Sequence, residues 1–336
     1  MEDKPPVDPA WRTGAKLVAL IAGIAAGWLA REIILLAFLG ILIGVVLSFP
    51  VNFLAHHMKR GVAVLVVLAV ILAGGGGAVV FGAAKIAKEA GTVREQVQNA
   101  VESARAKIDE LRGGQQEQQQ PPAGTQEKAV KGVLRIFSGL TAMVLVLVLG
   151  LFLVSEPKNY AMGLRLLVPE RYEEIFDTSL EKVTTSLRKW VGGILVSMTI
   201  MGALTTIGLA VAGVKGWLVL GLLTFFGTFV PYVGAIASAI PGLLVAAAQD
   251  STHFLYALVV YVGVHIVEGY LVEPLVMKRA VKLQPALLLV WQGFFGAVFG
   301  VVGTIVATPV LVCVQILTQY LWVERRLGKP AEPRSV

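Results

Sequence analysis

Between residues 191 and 323 the only charged side chains are Lys215, Asp250, Glu268, Glu273, Lys278, Arg279 and Lys282. A water-soluble fold spreads its ionised groups along its whole length to cover its surface, so a stretch this long and this neutral has lipid for its solvent. The composition agrees: charged residues make up 15% of the 336, against about 25% in soluble domains. Hydrophobic residues make up 56%, and the mean hydropathy is +0.75. A disordered chain is excluded and a soluble enzyme is disfavoured.

A spanning helix needs about 20 apolar residues to cross roughly 30 Å of hydrocarbon. Six runs approach that length: 16–30, 33–50, 61–84, 133–155, 191–213 and 254–272. Only Arg31 and Glu32 separate the first two, which reads as a retained helical hairpin rather than a cleaved secretory signal. Two further apolar regions are interrupted: 216–248 by Pro231 and Pro241, and 286–322 by Gly296, Gly300, Gly303 and Pro309. Their arms of about 15 residues rise only about 22 Å each, so both are expected to be helical hairpins packed inside a bundle. The expected fold is therefore an all-α integral membrane protein of about eight membrane segments, two of them proline/glycine-broken hairpins.

The hydrophilic parts set the divisions. Membrane scaffold helices occupy 1–84. Residues 85–132 hold an amphipathic helix, with Ile86, Ala90, Val93, Val97, Ala100, Ala104, Ile108 and Leu111 on one stripe, followed by a Gln/Pro-rich loop. The fourth span is 133–155. An interfacial region follows at 156–190, with Tyr172, Phe176, Leu180, Val183, Leu187 and Trp190 on one helical face that feeds straight into the next span. A transport region covers 191–323 and a polar tail 324–336. Net charge +7 comes from Lys and Arg that collect in loops on one side, which places both termini in the cytoplasm. No basic stripe with interleaved aromatics argues for nucleic acid. The single Cys313 permits no internal disulfide.

The two broken hairpins match at an offset of 69 residues. Phe226-Gly227, Gly234, Ile236 and Pro241 correspond to Phe295-Gly296, Gly303, Ile305 and, one position early, Pro309. Each follows one full span, and counting crossings puts the two units in opposite orientations. That is an inverted repeat, the arrangement that builds mid-membrane binding sites in many transporters.

Candidate site residues follow from the same regions. Tyr261, His265 and Glu268 are spaced four and three apart on one helical face, and an ionisable group at membrane depth marks a substrate or proton site unless it reaches the headgroups. His265 and Glu268 could share a metal, but a site needs three or four ligands and no second cluster is visible. No nucleotide loop, zincin motif or nucleophile elbow is present, so neither a cofactor nor an enzyme activity is expected. Pro231-Tyr232-Val233-Gly234 and Pro241 interrupt a helix in a way that exposes carbonyls to a polar solute. Thr224, Thr228, Ser238, Thr304 and Thr308 gather in the same breaks.

These residues resemble a family. Phe229-Val230-Pro231-Tyr232-Val233-Gly234 with Pro241, then Glu268 with Pro274, then Val281, Leu283 and Pro285, then Phe295-Gly296, Gly303 and Pro309, are similar to the autoinducer-2 exporter family of PerM-like permeases. The resemblance covers nearly the whole chain, including Lys59-Arg60-Gly61. It implies a bacterial inner-membrane transporter that assembles as a homo-oligomer and exports small signalling molecules or exchanges sodium for protons. Departures are Lys278 and Lys282 in a usually glycine-bearing loop, Gln284 for a common histidine, and Gly193-Ile194 for a frequent Gly-Gln. The resulting expectation is a secondary transporter working by alternating access, with a substrate or ion pathway through Glu268, His265, Tyr261, Pro231, Tyr232, Gly234, Pro241, Glu273, Pro274, Gly303 and Pro309. Its partners are the lipid bilayer and a small-molecule or ion substrate. The alternatives are a monovalent cation/proton antiporter and a membrane scaffold without transport.

Overall fold

A computed structural model describes residues 30–77, 143–272 and 283–330, with scattered positions in 18–29 and 91–102. Every regular element among them is helical: α1 (Arg31–Ala55), α2 (Arg60–Gly77), α3 (Met143–Ser155), α4 (Pro157–Arg165), α5 (Glu173–Val211), α6 (Trp217–Gly227), α7 (Val233–Ala247), α8 (Ser251–Val267) and α9 (Pro285–Leu317). Four helical stretches are long and apolar enough to cross a membrane, and the bent pair α3 and α4 makes a fifth. The chain is a multi-pass membrane protein. Most of the expected span at 16–30, and all of the Gln/Pro-rich loop at 113–126, lie outside the described residues.

Small residues let the N-terminal helices meet. Gly40 and Gly44, one turn apart on α1, face Gly150 on α3 so closely that a Cβ at Gly150 would come 3.0 Å from the Gly44 nitrogen and 3.1 Å from the Gly40 carbonyl oxygen. In lipid, where apolar contact carries no hydrophobic drive, this backbone approach is what binds helix to helix. Arg60 at the start of α2 closes the group by donating from Nε to the Val154 carbonyl at 3.0 Å.

Helix α5 is the spine. Its 39 residues rise about 58 Å, roughly twice the hydrocarbon thickness, so its charged first half cannot lie within the apolar layer along the same axis. The expected interfacial helix over 169–190 is thus one rod with the span it feeds. The segment that turns away from a span is α4, whose axis is bent 87° from α3. Buried Leu187, Trp190, Val191, Ile194 and Met198 of α5 join Leu42 of α1 and Val312 of α9 in one core cluster. Farther along, Gly202 fits against Phe225 and Gly208 against Val260, seating α6 and α8 on the same spine. Val93 and Val97 of the amphipathic segment pack on the cluster at this far end, beside Leu209, Val214 and Ala257. At the near end Lys182 pairs with Glu324 at 2.9 Å and lies over the Tyr320 ring.

Both expected hairpins form; Pro231 stands in the first reversal, whereas Pro241 and Pro309 do not break their helices. Pro241 sits inside continuous α7 and Pro309 inside the second arm of α9. The chain reverses instead at Tyr232 (φ 63°, ψ −57°) and at Gly300 (φ 65°, ψ −151°). A proline removes one donor from a helix that is otherwise intact, whereas these two reversals use a positive φ, which proline cannot adopt. Tyr232 is the middle residue of a γ-turn closed by the Val233 amide on the Pro231 carbonyl at 2.7 Å, the rare and strained form of that turn. Arms cross at the matched glycines: Gly234 lies on the Gly227 carbonyl, and Gly303 on the Phe295 carbonyl.

Candidate functional site

A cavity of about 1030 Å³ lies between α5, the tip of the first hairpin, α7, α8 and the start of α9. Helix α5 contributes Trp190, Ile194 and Ser197, the hairpin tip contributes Thr228, Pro231 and Tyr232, and α9 contributes Leu288 and, from its second arm, Thr308. The tip is held over the cavity by Phe229, whose ring meets Trp190 edge-on with centroids 5.7 Å apart.

The polar wall belongs to α8. Its Tyr261, His265 and Glu268 all line the cavity, as their spacing on one face requires. Tyr261 is 2% exposed, and a Cβ at Gly242 would overlap its ring, so the glycine on α7 is what lets the tyrosine in. The Nδ1 of His265 donates to Glu268 Oε2 at 3.0 Å, and both side chains keep about a third of their surface open. At Glu268 the helix changes pitch, and 268–272 wind as a π-helix. Such turns widen a helix by one residue and recur at functional sites. Among the described residues no three His, Cys, Asp or Glu side chains come together to hold a metal.

Of the expected pathway residues, Tyr261, His265, Glu268, Pro231 and Tyr232 meet at this cavity. Gly234 and Gly303 are hairpin-packing residues instead, each pressed on backbone across its turn. Pro241 lies next to Gly242 in α7, and Pro309 is buried beside Thr308. Glu273 and Pro274 lie outside the described residues. Gln292, which no motif singles out, is 1% exposed and donates from Nε2 to Thr308 Oγ1 at 3.1 Å, fixing that hydroxyl at the cavity wall. A lone glutamine in an apolar arm was the available signal, because a buried amide in lipid has to find a partner.

The helix entering this wall is firmly capped outside the apolar layer. Asp250 Oδ1 accepts from the Thr252 and His253 amides at 2.8 and 2.9 Å. Its Oδ2 lies 2.6 Å from His253 Nδ1. The His253 amide first, then its ring, hold this carboxyl below its ordinary value of 3.8.

Comparison with known proteins places this architecture. The model of the AI-2E family transporter matches residues 17–322. The chain belongs to the AI-2E family. Within it, the chain is 28% identical over 322 residues to the Mycobacterium tuberculosis candidate transport protein MT0215, covering 89% of the chain and 86% of that protein. It is 24% identical over 195 residues to YrrI of Bacillus subtilis, also named as a candidate transport protein, with 58% of the chain and 55% of YrrI covered. The chain thus spans about half the length of YrrI. It is 31% identical over 111 residues to the AI-2 transport protein TqsA of Escherichia coli, a match covering 32% of each. In this AI-2E chain the hairpin tip, α8 wall and α9 start that form the cavity all fall inside the matched region.

Proposed function

We propose that the chain is a secondary transporter that moves a small solute across the bacterial inner membrane by alternating access, with cytoplasmic termini. The observation that carries this reading is the cavity capped by a strained hairpin tip and walled by the His265–Glu268 pair. The tip of this hairpin, a strained γ-turn whose Phe229 rests on Trp190, is the element proposed to move and open the site to alternate sides. The matched glycine crossings of the two hairpins support the inverted repeat. Sidedness is supported by the packing of Val93 and Val97 at the end of the bundle opposite Lys182 and Glu324. Assembly as a homo-oligomer belongs to the same proposal, as does export of a signalling molecule, by likeness to TqsA.

A carboxylate paired with a histidine also favours a second reading, monovalent cation/proton exchange. Flux of a solute panel into reconstituted vesicles, with pH and sodium gradients imposed separately, distinguishes the two. Glu268→Gln is expected to lower gradient-driven flux at least tenfold while the protein still folds. Unchanged flux in that variant overturns the assignment of Glu268, and sodium dependence without solute movement favours exchange.

A further inference from the structure

Several residues that line the cavity are at the same time exposed apolar side chains of the bundle. Ile236 and Ile240 on α7 are 67% and 53% exposed, and Val262 and Ile266 on α8 are 50% and 53%. A side chain that faces both a cavity and the outside stands at its mouth. Helix α8 with its π-helical end, Ser251–Val272, is one of the stretches long enough to cross a membrane, and Val262 stands at its midpoint. The mouth between α7 and α8 therefore runs from the middle of the span at Val262 toward its end, where the cavity-lining Tyr270 is 80% exposed. Glu268 lies six residues farther along, about 9 Å toward the headgroups. The space between is lined by Ile236, Ala239, Ile240 and Ile266.

We propose that the cavity is loaded sideways from the bilayer and takes a membrane-dissolved amphipathic molecule, its chain in the α7–α8 mouth and its hydrogen-bond-donating head, an amine, on the His265–Glu268 pair. The geometry matches the order in which such a molecule lies in a leaflet, tail at mid-membrane and head toward the interface. The chemistry matches too. A carboxylate accepts and cannot donate, so it rewards a cationic or donor head and penalises an anionic one. The apolar lining gives a small, highly hydroxylated solute few partners for its hydrogen bonds. The proposal rests on the transport reading for its purpose, not for its geometry.

The test uses the full chain in phosphatidylcholine vesicles with dodecylamine carrying a diazirine on its chain. Photolabelling is expected at Ile236, Ile240, Val262 and Ile266. Excess unlabelled dodecylamine should suppress it at least fivefold, and dodecanesulfonate should not. Glu268→Gln should weaken the amine's competition about tenfold. Ile240→Trp, at an exposed position that tolerates bulk, should cut labelling of Val262 and Ile266 at least fivefold with the fold intact. Labelling spread evenly over outer positions such as Leu65 and Val70, or equal competition by the sulfonate, overturns the proposal. So does copy-to-copy crosslinking at position 240 with Cys313 replaced, since a second subunit would then cover the mouth. Saturable labelling without flux of any solute would sink the transport reading and leave the site. Flux of a water-soluble solute without saturable labelling would sink lateral loading and leave the transport reading.

Discussion

The two hairpins reverse direction by the same device and differ in what surrounds it. Gly300 turns the second hairpin in a conformation that only glycine adopts freely, with open space where a Cβ would stand. Tyr232 turns the first in a positive-φ conformation that no glycine relieves, and its ring lines the cavity. Strain of this kind costs on the order of 1–3 kcal/mol and persists only where surrounding structure holds it. The second turn is thus a quiet structural reversal, and the first stores energy beside a binding space. Both depend on glycines that let their arms touch, so the contrast lies in the turns and not in the arms.

That contrast can be broken in graded steps. Gly234→Ala has the largest expected effect, because its Cβ would collide with the Gly227 backbone, which has no rotamer to give way. A loss of about 3 kcal/mol or more is expected, read as a fall in thermal midpoint in detergent and loss of the folded peak in size-exclusion chromatography. Gly300→Ala meets no neighbour but must hold a forbidden backbone, so a loss of about 1–3 kcal/mol is expected, with flux kept in whatever protein folds. Tyr232→Gly should change stability by no more than about 1 kcal/mol, since relieved strain offsets added chain entropy, yet it should lower flux severalfold. Equal flux in Tyr232→Gly and the parent would make the two turns equivalent.

The smallest effect concerns the exit of the first hairpin, which has a side-chain cap at Asp250. The folded carboxyl lies below its ordinary 3.8, so its contribution is present above that value and fades as pH falls through it toward the folded value. Asp250→Ala should therefore lower the thermal midpoint slightly at pH 7, and the difference from the parent should shrink at pH 3.

Much of this was legible in the residues. The four-then-three spacing of Tyr261, His265 and Glu268 puts them on one face, and that face lines the cavity. The glycine pairs at the 69-residue offset mark where the hairpin arms cross, because only glycine permits backbone contact. The turn sites, Pro231-Tyr232 and Gly300, stood among the expected breaks, but pattern did not separate them from Pro241 and Pro309, because reversal is decided by φ at Tyr232 and Gly300. Nor could pattern reveal that Gln292 meets Thr308 sixteen residues away, a contact fixed by the register of two arms. The continuity of α5 past Trp190 was legible, since the amphipathic face feeds straight into the apolar run with no proline between them, and nothing in the backbone marks a boundary there.

An unbroken rod of this length is also a lever. With a tilt of about 10° within the membrane, one end of α5 moves about 10 Å relative to the other. Its charged end is reachable by water-borne probes, so a dye or spin label there would broadcast the posture of a chamber that no aqueous reagent needs to enter.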